Sequence, residues 1–247
     1  MRSQQKWVVM LLMIVAIALS AVAGLLTQAQ NKTIRKQQAV LDETQYPIAY
    51  ESAPEPRDPH EQAKRQAKGQ KFHKDVKVTP IQNFKIRATV YHWPPDFPSL
   101  PVVESSAIVV GEVIDAHAYL STDRTAVYSE FTINVDRVLK DSDAVVIPKS
   151  SVIVTRYGGR VQFPDGSIQL LFNTGQGMPR LTRRCVLYLK RTDQDFDLLT
   201  GYELLGGKVF PLDTGTPNFS AYENVNESDF LEQIQQKIAS LSRSASN

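Results

Sequence analysis

The sequence predicts a mainly β protein: a small antiparallel barrel with a C-terminal helix, set beyond an N-terminal transmembrane helix and a long polar linker. Three features predict it. An uncharged apolar run comes first, a stretch rich in Gln, Lys, Pro and Glu follows, and short alternating apolar runs broken by Gly and Pro begin near Ser105. They divide the chain into 1–26, 27–100 and 101–247.

Trp7 to Leu26 is twenty residues without a charge. As a helix it rises roughly 30 Å, enough to cross the hydrocarbon core of a bilayer. Arg2 and Lys6 precede it, which favours a cytoplasmic N-terminus and seats residues 7–26 in membrane lipid. Ala21-Val22-Ala23 offers an alternative, the small-residue site of a cleaved signal peptide. The length of the run and its continuation through Leu25-Leu26 favour an anchor. On either reading the remainder is extracytoplasmic, periplasmic or extracellular.

The next segment has little hydrophobic periodicity, so it lacks the apolar burial that would offset its ordering entropy. One short helix is predicted within it. Asp58-Pro59-His60-Glu61 combines an N-cap, a first-turn proline and a capping-box acid, and Gly69 is read as its stop. Lys64, Arg65, Lys68, Lys71, Lys74 and Lys77 make this the most basic stretch. Attraction to anionic headgroups or wall polymer is one reading, and a solvated linker kept extended by its charges is the preferred one. Tyr91 to Pro101, with Trp93, Phe97 and four prolines, reads as a stiff strip packing along its own domain.

The strands come next. Ala107 to Ile114 is rich in β-branched residues and reads as largely buried. From Val127 to Leu139, Val127, Phe131, Ile133 and Val135 share one face, as in a long half-buried antiparallel strand. Ser151–Tyr157 is a third strand, with Gly158-Gly159 as a hairpin turn. Pro164-Asp165-Gly166 turns the chain into Ile168–Phe172, and strands follow at 185–189, 198–205 and 208–212. Ser228 is the expected cap of a final helix whose stripe is Leu231, Ile234, Ile238 and Leu241. The strand count and the long second strand suit an oligonucleotide/oligosaccharide-binding (OB) barrel.

Ser106 to Val113, then Tyr128 to Val135 and Val138-Leu139-Lys140, resemble the OB-like barrel of netrin modules and tissue inhibitors of metalloproteinases. They also resemble exported bacterial domains of unknown function with that barrel. In those domains a glycine-rich hairpin, a Pro-Arg step and an apolar strand come next, as do Gly158-Gly159-Arg160-Val161, Met178-Pro179-Arg180-Leu181 and Val186-Leu187-Tyr188-Leu189 here. The resemblance spans about Ser105 to Asp213 and implies a fold and a compartment. The inhibitors act through an N-terminal cysteine braced by disulfides, and Cys185 is the single cysteine here, so their activity is not implied.

No residue pattern predicts a catalytic, cofactor or metal site. Cys185 opens an apolar strand without a nearby base and reads as a small core residue. His60, His73, His92 and His117 are not at ligand spacing. Asp193, Asp195 and Asp197 lack the glycine and terminal glutamate of a calcium loop and read as an acidic solvated turn. Gly175-Gln176-Gly177 reads as a flexible loop. The one binding candidate is the hairpin tip of Arg156, Tyr157 and Arg160, residue types that anchor interfaces. Residues 1–104 hold 14 Lys and Arg against 9 acids, and residues 105–247 hold 14 against 17. The domain's acidity opposes the counterion release that drives nucleic-acid binding. The expectation is a membrane-tethered module, not an enzyme, binding a protein or cell-wall polymer. A hydrolase with a fold-assembled site is the alternative, and a nucleic-acid binder a more remote one.

Overall fold

A computed structural model of the chain describes residues 45–74, 77–80, 86–90, 93–94, 96–142, 144, 146, 149–193 and 195–244, all within one compact unit, Thr44–Asn247. The predicted membrane segment, 7–26, lies outside them. No described helix is long and apolar enough to cross a membrane.

In chain order the first elements are β1 (Ile48–Tyr50), α1 (Pro59–Lys71), β2 (Ile86–Val90), β3 (Ala107–Leu120), β4 (Val127–Asp141) and β5 (Ser151–Tyr157). Then come β6 (Gly159–Gln162), β7 (Ile168–Thr174), β8 (Arg184–Arg191), β9 (Phe196–Leu205) and β10 (Lys208–Pro211). The chain finishes with α2 (Pro217–Ser220), β11 (Val225–Asn226) and α3 (Glu227–Ser244). The fold is mainly β, as predicted, with mostly antiparallel pairing and a C-terminal helix.

Five strands pair around a ring. β3 lies between β4 and β8, β4 pairs with β5, and β8 pairs with β9, all antiparallel. β5 meets β9 in parallel through only Val154–Phe196 and Thr155–Asp197, so the ring closes unevenly. The first half of β3, Ala107 to Val113, and the centre of β8 are buried on both faces, which explains their nearly unbroken apolar runs. Ile108, Val110, Val186, Tyr188, Tyr202 and Leu204 form one core cluster with Phe219 of α2 and with Phe230 and Ile234 of α3. Helix α3 begins at Glu227, so Ser228 lies inside its first turn and is not its cap. Phe230 joins the buried stripe, while Leu241 is exposed.

A second sheet has the order β1-β6-β7-β2. Its centre is the β6–β7 hairpin, turned at Pro164-Asp165-Gly166, where Gly166 adopts φ +80° and donates to the Phe163 carbonyl. β1 and β2 add in parallel on either side, Ile48 opposite Arg160 and Ile86 opposite Leu170. Gly158-Gly159 is not the predicted hairpin. β5 and β6 belong to different sheets, and the glycines form the corner between them. A Cβ on Gly158 would lie 2.7 Å from the Met178 methyl, and one on Gly159 2.8 Å from a Val127 methyl.

The stretch expected as a linker to residue 100 differs from that expectation from residue 45 onward. It supplies β1, α1 and β2 and buries Tyr46, Ala49, Val78 and Leu100. Its strands are too short for an alternation signal, and each pairs with a partner far along the chain. The proline strip does pack along its own domain: Trp93 and Phe97 lie against the core, 5.0 and 6.4 Å from the Phe219 ring.

Candidate functional site

The predicted tip is not a displayed surface. Arg156 is buried, and one guanidinium nitrogen donates to both carboxylate oxygens of buried Asp213, at 2.8 and 2.9 Å. Its other terminal nitrogen donates to the Gly177 carbonyl, and the Gly177 N–H donates to Asp213. The pair ties the end of β5 to the segment after β10. Gly175-Gln176-Gly177 is correspondingly packed: a Cβ at Gly177 would sit 2.1 Å from the Leu212 carbonyl oxygen. Arg160 donates through Nε to the Tyr46 carbonyl and holds the chain leading into β1. Tyr157 is buried as well, and it is the member of the trio that borders the charged face beneath α1.

That face lies on the barrel between the β3–β4 and β8–β9 turns. The first turn is stiffened locally: Ser121 donates to Asp123, and the N–H groups of Thr125 and Ala126 donate to the Ser121 hydroxyl. Above it lies α1, capped as the sequence predicts, with the Asp58 carboxylate accepting from the His60 N–H and Pro59 in the first turn. Gly69 is not the stop, because the helix continues to Lys71. Its missing side chain serves contact instead, since a Cβ there would lie 3.1 Å from Ser121 Cβ.

The helix is seated by charge. Lys68 Nζ bridges Glu130 on β4, at 2.6 Å, and Asp195 in the β8–β9 turn. Lys64 reaches Asp195 at 3.4 Å, and Lys71 reaches Asp197 at 2.6 Å. Residues 64, 68 and 71 are four and then three apart, so one helix face presents all three ammonium groups. Burial alone would lower the Lys68 pKa, but hydrogen bonds to Asp195 and Glu130 outweigh it and hold the group above its ordinary value. The acids read as a solvated turn are therefore partners of the basic segment, apart from exposed Asp193.

Aromatic rings complete the seat. Phe72 stacks on Tyr128 at 5.7 Å and tilts against Tyr157 at 6.1 Å. The Arg65 guanidinium lies 4.4 Å over the Tyr119 ring, and Lys74 5.1 Å over Tyr157. Burial raises the pKa values of Tyr119 and Tyr128, so both stay neutral phenols. Beside the helix, Tyr50, Glu51, Gln62, Arg65 and Tyr119 border an open cleft of about 250 Å³.

His73 pairs with Asp123 and His117 with Asp115, while His92 lies outside the described residues. Among the described residues no three His, Cys, Asp or Glu side chains form a group able to hold a metal ion. Burial pushes the Cys185 thiol up to about 12, which leaves it un-ionised near neutrality. The fold and site together define a mainly β domain with an acidic, tyrosine-rich face covered by one of its own basic helices. No protein-family model matches the chain, and no curated protein matches it.

Proposed function

We propose that the chain is a membrane-tethered, extracytoplasmic binding module on an OB-like barrel, and that its recognition surface is the acid–tyrosine face of Glu130, Asp195, Asp197, Tyr119 and Tyr128. The strand order β3-β4-β5-β9-β8, closed by the parallel β5–β9 contact, supports the barrel assignment. It also agrees with the resemblance to netrin-type barrels. In OB barrels the turns joining strands one to two and four to five flank the ligand surface. Here the first of those turns is 121–126 and the second holds Thr192 and Asp195, and both touch α1. That shared contact is the observation that carries the reading. The uncharged run 7–26 supports the tether.

The ligand this face suits is a cationic protein segment. Carboxylates repel phosphate backbones, which disfavours nucleic acid. Two experiments test the proposal. Full-length protein should remain in membranes through alkaline carbonate washing. A photo-crosslinker at exposed Asp193 should capture a partner in native membranes, and Glu130→Gln with Asp195→Asn should abolish that capture. Crosslinking that is unchanged by the double substitution would place recognition elsewhere.

A further inference from the structure

The sharpest asymmetry in the molecule is the way α1 is held. Of its thirteen residues only Lys68 and Gly69 are buried, and neither belongs to a core cluster formed among the described residues. Its attachment is mainly ionic: the Lys71–Asp197 pair is 35% and 31% exposed, while Lys68 is 4% exposed against Glu130 and Asp195 at 17% and 14%. The solvated pair is screened by salt, and a helix with so few buried apolar side chains lies toward the low end of local stability.

The segments on either side of α1 have anchors of their own. β1 is paired with β6, and the Glu51 N–H donates to the Gln162 carbonyl. Beyond the helix, buried Val78 donates its N–H to the Arg124 carbonyl. These anchors would hold both flanks in place if the helix lifted.

From this we infer that α1 is an exchangeable occupant, and that its seat receives in trans a partner's basic helix with cations at the 64, 68 and 71 spacing and an aromatic ring one residue beyond. The inference rests on the reading of this face as the recognition surface and names both its ligand class and its regulation. The seat is specific in kind. Glu130, Asp195 and Asp197 match an i, i+4, i+7 array of cations, and Tyr128 and Tyr157 accept the following ring. Grooves that take helices in this manner read anchors at that spacing. With α1 docked the receptive state is a minor one, so apparent affinity for a competitor falls by the open fraction.

The test uses the full-length chain in detergent micelles and a fluorescent peptide of residues 57–74 as the probe. Two opened chains are compared with the intact one. In the first, Lys64→Glu, Lys68→Glu and Lys71→Glu repel the acidic face. In the second, residues 57–74 are replaced by a Gly-Ser segment of equal length. Fluorescence anisotropy should show both opened chains binding the peptide at least about tenfold more tightly than the intact chain. A Phe72→Ala peptide should bind more weakly, and about 1 M NaCl should abolish binding.

Equal binding by opened and intact chains would overturn the inference, as would no binding by either opened chain. Equal binding of a scrambled peptide would reduce it to bulk charge attraction. Should the Gly-Ser chain fail to fold, α1 is an integral part of the domain and the proposal falls. If the peptide fails while crosslinking at Asp193 still depends on Glu130 and Asp195, the binding-module reading stands and only the helical ligand is lost.

Discussion

Two helices pack on one barrel by opposite means. Helix α3 buries Phe230 and Ile234 fully against β3, β8 and β9, a non-directional attachment that persists in salt. Helix α1 offers no large apolar side chain and meets the barrel through three lysines, the Arg65 guanidinium over Tyr119 and a glycine. The first mode makes a helix part of the core. The second leaves a helix whose seat has its own binding chemistry.

The largest effect should come from α3. Phe230→Ala removes a fully buried ring and should destabilise the domain by about 3–5 kcal/mol in urea melts. A loss under 1 kcal/mol would mean that α3, too, is only loosely attached. Arg156→Ala sharpens the comparison from the other side. It leaves Asp213 buried without its ionic partner and should cost about 3–5 kcal/mol. Burial of both partners, then, and not ionic character as such, separates the Arg156 pair from those that hold α1. Lys68→Ala should cost less, about 1–3 kcal/mol, because Glu130 and Asp195 regain water once α1 lifts. Tryptic cleavage within 59–71 should accelerate while α3 stays protected; equal acceleration in both helices would dissolve the distinction. Lys71→Ala, at a partly solvated pair, should fall within about 0.2–1 kcal/mol.

The smallest effect is acid-dependent. Burial works against ionisation of Asp123, but hydrogen bonds from Ser121, His73 and Thr125 hold its carboxyl well below the usual carboxylate range. A depressed folded-state pKa gives stability that is complete above the unfolded value of about 4 and is lost as pH falls below it. The stability gap between wild type and Asp123→Asn should therefore narrow on acidification from pH 6 towards pH 2. A gap independent of pH would show that the carboxylate's charge contributes nothing.

The same contrast explains what could be read in advance. The stripe through Ile234 and Ile238 has helical period, so α3 was legible, and alternation along 127–135 marked β4. A period-two pattern names the buried face before any partner is known. Charge does not. Lys64, Lys68 and Lys71 read as a solvated face because Glu130, Asp195 and Asp197 reach them only through strand pairing. Arg156 was misplaced for a different reason. Its position beside two glycines drew it into a turn, although it shares parity with Val152 and Val154 along β5, and Val154 is fully buried. The end of β5 is buried on both faces, since Thr155 and Tyr157 are covered too, and no alternation could mark Arg156 as buried.

The second sheet also bears on how the chain reaches this fold. Its two outer strands precede the barrel in sequence, yet Ile48 pairs opposite Arg160 and Ile86 opposite Leu170. Neither pair can form until β6 or β7, respectively, has been made, and each closes a long loop whose entropy must be overcome before any ladder bond compensates. High contact order therefore concentrates in the earliest-synthesised part of the domain. During synthesis β1 and β2 emerge first and wait for their partners, and they expose unpaired edges until residue 174 has followed.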